Sequence, residues 1–61
     1  MRTKTFKLTS LCYGVVLGNN RALAIYCKGD IVSYFPSIAR CGGLRLALKE
    51  AKITAYKRVN H

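Results

Sequence analysis

From Thr5 to Leu17 the chain is dense in β-branched, aromatic and leucine residues, the composition of extended structure. Gly18-Asn19-Asn20 follows, where glycine and asparagine accept a positive φ cheaply, so a turn is expected there. Arg21 to Cys27 reads as a second strand, Lys28-Gly29-Asp30 as a short turn, and Ile31 to about Phe35 as a third strand. Two short turns joining three such runs predict an antiparallel meander. Pro36 ends the sheet because it has no N–H for a ladder bond. Ser37 to Cys41 reads as a connector or a single helical turn, and Gly42-Gly43 breaks the chain.

From Leu44 to Val59 the period changes from two to about 3.6. Leu44, Ala47, Leu48, Ala51, Ala55 and Val59 then fall on one stripe of a helix, and its three alanines allow a close approach to a sheet. No Ser, Thr, Asp or Asn stands immediately before Leu44, so a glycine cap is expected, with Asn60 as the stop. The predicted fold is α+β: a three-stranded antiparallel β-meander packed against one C-terminal α-helix (βββα). It forms a single small domain over residues 1–61, with residues 1–4 in a flexible basic arm. Within Arg21–Cys27 both strand faces are largely apolar, with Leu23, Ile25 and Cys27 on one and Ala22, Ala24 and Tyr26 on the other. One helix covers one sheet face. The other face is left for a partner, a second copy or a nucleic acid, and a small domain gains core by pairing, so a homodimer is an expectation.

Length narrows the function. A chain of 61 residues buries about 60% of its unfolded surface, which leaves little room for a catalytic pocket and its supporting shell. The only acids are Asp30 and Glu50, and the only histidine is His61. A carboxylate pair, a Cys–His dyad, a phosphate-cradling loop and a metal-ligand spacing are all missing. The chain is read as a non-enzyme without cofactor or metal. Cys12, Cys27 and Cys41 are spaced by 15 and 14 residues, a poor disulfide framework. They are read as three reduced thiols acting as small hydrophobes, with one bridge plus one free thiol left open. No apolar run approaches the ~20 residues of a membrane span. Arg2, Lys4 and Lys7 before the uncharged Leu8–Asn20 resemble the start of a secretory signal, but Thr9, Ser10, Tyr13 and two glycines weaken its apolar core. The segment is read as folded structure in a cytoplasmic protein.

Charge supplies the positive argument. Eleven Lys and Arg against two acids give a net charge of +9, while 51% hydrophobic residues exclude a disordered basic tail. A folded, very small and strongly basic domain points to a polyanion. The cations fall in an N-terminal group, Arg2, Lys4 and Lys7, and a C-terminal group, Arg40, Arg45, Lys49, Lys52, Lys57 and Arg58. At 100° per residue Arg45, Lys49, Lys52 and Tyr56 form one stripe beside the apolar face of the helix. Such a stripe suits phosphate contact, with Tyr56 adding a hydrogen bond or a stacking surface. Leu46 and Ile53 lie on the far side of the helix, as isolated exposed apolar residues commonly do.

The order of pieces resembles the apetala-two (AP-two), or ethylene-response-factor, DNA-binding domain, with relatives in phage endonucleases and a similar fold in the arm-binding domains of tyrosine integrases. The matching residues are Gly14-Val15, Ala22-Leu23-Ala24-Ile25, Phe35, and the stretch from Gly42-Gly43-Leu44 to Glu50-Ala51. The resemblance covers roughly residues 13 to 59. The resemblance implies major-groove binding by the sheet face opposite the helix, with Arg21, Tyr26, Lys28 and Tyr34 nearest the DNA. The chain departs from the family in having no Trp and almost no charge within its strands; Arg21 and Lys28 stand at strand ends.

The expected function is therefore a small DNA-binding regulator or accessory factor of a phage or mobile element. It contacts double-stranded DNA through phosphates, with Arg2, Lys4, Lys7, Arg21, Tyr26, Lys28, Tyr34, Arg40, Arg45, Lys49, Lys52 and Tyr56 as the binding residues. RNA is an alternative target, with tyrosines as stacking surfaces. A different class is a phage-type inhibitor or interaction module that docks its sheet face on an acidic host protein.

Overall fold

In the computed structural model, residues 3–19 and 21–60 are described. Four strands precede the helix: β1 Thr3–Lys7, β2 Cys12–Leu17, β3 Ala22–Cys27 and β4 Asp30–Phe35. They form one antiparallel sheet in the order β1-β2-β3-β4, so the meander has four strands rather than three. The extra turn lies inside the run read as one strand. Thr9 Oγ1 accepts a hydrogen bond from the Leu11 N–H at 3.3 Å, and the Cys12 carbonyl accepts from the N–H groups of Leu8 and Thr9. The short hydroxyl side chain of Thr9 thus closes a local turn where its β-branched shape suggested a strand. Lys4 likewise belongs to a paired strand instead of a flexible arm; Arg2 lies outside the described residues.

The other turns fall where glycine and asparagine were expected. Lys28-Gly29 joins β3 to β4 with φ of 57° and 87° at its two central residues, as the tightest hairpin turn requires. Ile25 pairs with Ser33 and Tyr26 with Ile31, which leaves Val32 as an unpaired bulge residue in β4. Beyond Phe35 the chain makes a 3-10 turn, Ala39–Cys41, anchored by the buried Ile38.

The helix α1 spans Leu44–Val59, with Gly43 at its N-cap and Asn60 at its C-cap. Asn60 closes the last turn twice, donating its backbone N–H and its side-chain amide to the Tyr56 carbonyl. Ala47, Ala51 and Ala55 are fully buried, and Leu44, Leu48 and Val59 pack beside them, as the alanine stripe predicts. With only methyl groups between them, α1 packs on β2, β3 and β4 over a core of Cys12, Val16, Leu23, Ile25 and Cys27. Phe6 stands opposite Gly14, and the side chains of Leu23 and Leu8 close over the space that residue leaves on the helix side of the sheet. Among the described residues no polar or charged side chain is buried.

Cys12 and Cys27 are joined in a disulfide and Cys41 is free. The reading of three reduced thiols is therefore replaced by one bridge and one free thiol. The cause is register: β2 and β3 set these two residues directly opposite each other, which their spacing in sequence does not reveal.

Candidate nucleic-acid interface

Strand alternation separates two faces. Toward the helix point Phe6, Cys12, Gly14, Val16, Leu23, Ile25 and Cys27. The other face carries the cross-strand row Lys7, Tyr13, Tyr26 and Ile31, and beside it Thr5, Val15, Ala24 and Tyr34. Tyr13 and Tyr26 stack with ring centroids 5.3 Å apart and planes 15° from parallel. Among its apolar and aromatic residues Ile31 and Tyr34 are the most open, at 62% and 55% exposure. The sheet face opposite the helix is thus apolar and aromatic, with Lys7 at its edge as the single charge in these two rows.

Most of the clustered positive charge is gathered elsewhere. Between β1 with its following turn and the flank of α1 runs a groove lined by Phe6, Lys7, Leu8, Arg45, Leu48, Lys49 and Lys52, about 460 Å³ in volume. It adjoins a second depression of similar size, lined by Leu8, Thr9, Lys52, Ile53, Tyr56 and Lys57. Leu8 and Lys52 border both. Five cations therefore stand around an apolar floor of Phe6, Leu8 and Leu48, and neither lining includes an acid. Glu50 points roughly 130° around the helix from the Arg45–Tyr56 stripe, at 100° per residue. Tyr56 is 64% exposed at one end of this groove.

Of the residues expected to bind, the structure brings Lys7, Arg45, Lys49, Lys52 and Tyr56 together. Lys28 meets Lys7 in a shallow depression at the end of the sheet, beside Tyr13 and Gly29. Arg21 stands at the opposite end of β3, about 20 Å away along a six-residue strand. Tyr26 and Tyr34 are on the open sheet face, away from the basic groove. Arg40 lies in the 3-10 turn, Lys4 is exposed on β1, and Arg2 lies outside the described residues. Phe6, Leu8, Leu48 and Lys57 were not among the expected residues. Their signal is a Phe6/Leu8 alternation that reaches the helix only once β1 is recognised as a separate strand.

Among the described residues no group of His, Cys, Asp and Glu is placed to hold a metal ion, and no helix is long and apolar enough to cross a membrane. No protein-family model, curated protein or solved structure matches this chain.

Proposed function

We propose that this chain binds nucleic acid, DNA in the first instance, by neutralising phosphates with the cations of the β1–α1 groove. The observation that carries the reading is the meeting of Lys7 with Arg45, Lys49 and Lys52 from a distant part of the chain, in a groove whose lining holds no acid. Exposed cations gathered over an apolar floor repel one another. A polyanion relieves that repulsion and releases its condensed counterions as it docks. Such binding is insensitive to base sequence and steeply dependent on salt. It suits an accessory or regulatory factor, and no catalytic step is assigned.

The test is fluorescence anisotropy of labelled DNA of random sequence, titrated with protein across a range of salt. Micromolar or tighter binding, with log affinity falling linearly against log salt, is the expected result. Absence of binding at low salt overturns the reading.

A second reading rests on the open sheet face. Tyr13, Tyr26, Ile31 and Tyr34 form a continuous apolar and aromatic surface, suited to docking on a host protein with the basic groove steering the approach to an acidic partner. Loss of partner binding on changing Tyr26 or Tyr34, with DNA binding intact, distinguishes the two readings.

A further inference from the structure

Resting on the phosphate-contact reading, we infer that the β1–α1 groove is built for single-stranded rather than duplex nucleic acid. The groove has two chemistries at once. Its rim is cationic, with Lys7, Arg45, Lys49, Lys52 and Lys57, while its floor is apolar, with Phe6, Leu8 and Leu48. A duplex keeps its bases stacked inside and offers a protein surface a ridge of phosphates, which would pass over the rim and leave the floor without a partner. A single strand has phosphates for the rim and unstacked base faces for the floor. Positive grooves combined with aromatic platforms are the general means of holding unpaired strands.

The dimensions agree. From Arg45 to Tyr56 the helix flank runs about 17 Å at 1.5 Å per residue, room for on the order of four nucleotides, at the low end of known single-strand sites. At the far end the Tyr56 ring is exposed, directly after the cations of the same helix stripe, where a base leaving the apolar floor meets an aromatic surface. Tyr13, Tyr26 and Tyr34 of the open sheet face line neither depression.

The experiment compares labelled oligo(dT) with an oligo(dT)·oligo(dA) duplex of equal length at one salt concentration, for the native chain and for Tyr56→Ala and Tyr56→Trp. The single strand is expected to bind about tenfold tighter than the duplex, the scale of one stacked base. Tyr56→Ala lowers single-strand affinity about fivefold and leaves duplex affinity within twofold. Tyr56→Trp retains single-strand binding, and its new fluorescence is quenched by oligo(dT). Duplex affinity equal to or above that of the single strand overturns the inference while the phosphate reading stands, as does equal loss on both substrates in Tyr56→Ala. Failure of both substrates to bind at low salt overturns the two together and leaves the groove to an acidic amphipathic protein segment.

Discussion

Cys12 and Cys27 face each other across the two central strands, their Cα atoms 4.2 Å apart, with the disulfide between them buried beneath the C-terminal half of α1. The neighbouring bond from the Lys28 N–H to the Leu11 carbonyl places them at a close, non-hydrogen-bonded pair, where cross-strand side chains approach most nearly. The Cys12 sulfur lies 3.9 Å from the Ala55 carbonyl oxygen, so the bridge is part of the helix–sheet contact as well as a link between strands. Closing a loop of this length is worth about 3 kcal/mol through the unfolded chain. The double variant Cys12→Ala/Cys27→Ala is expected to melt on the order of 15 °C lower by circular dichroism. Thiol titration should find one reactive group under denaturing, non-reducing conditions and three after reduction. In a reducing cytosol the domain would stand on its sheet and helix alone.

Ala51 sets how near the helix comes to the sheet. It has no exposed surface and sits at the middle of the buried alanine stripe. Ala51→Leu forces extra methylenes into a filled layer, and a loss of about 1–3 kcal/mol is expected in chemical denaturation. Leu46→Ala, on the exposed side of the same helix, should change stability by less than about 0.5 kcal/mol.

The groove cations carry a separate expectation. Arg45→Ala/Lys49→Ala/Lys52→Ala keeps the fold, since none of the three is buried, and reduces the magnitude of the salt slope for duplex DNA by about 2 to 3. Arg21→Ala and Arg40→Ala, each at an isolated site, should lower affinity by about twofold at most through net charge alone. Anisotropy titrations of all five substitutions under matched salt give the comparison.

Lys28 holds a left-handed backbone conformation at φ 57°, which costs a side-chain-bearing residue roughly 1 kcal/mol. Lys28→Asn keeps the turn and fits its conformation better. A gain of about 0.5 kcal/mol in denaturation is expected, together with a slightly weaker affinity for DNA.

The helix was legible because alanine repeated at four-residue steps has few other uses, and Ala47, Ala51 and Ala55 are the buried line. Lys28-Gly29 was legible because glycine in a short polar break between strands marks a hairpin. The first strand was hidden. Thr9 favours extended structure by shape and turns by its hydroxyl, and the choice between them rests on a hydrogen bond to Leu11 that composition does not display. That one ambiguity concealed the rest. Without a separate β1, Phe6 and Leu8 have no helix flank to face, Lys7 has no reason to meet Arg45, and the groove does not exist. The disulfide was concealed similarly, since a separation of fifteen positions between two cysteines says nothing until strand register is known.

A meander in simple order leaves two free margins, β1 and β4, each with unpaired backbone groups able to recruit another chain. Lys4 and Lys7 place charge along the first, so an incoming copy would have to bring its own lysines alongside them. The second is distorted by the extra residue Val32, which breaks the regular spacing an added strand would need. In a protein half hydrophobic by composition, both features disfavour sideways growth into fibrils, so a partner is held by side chains and not by an added strand.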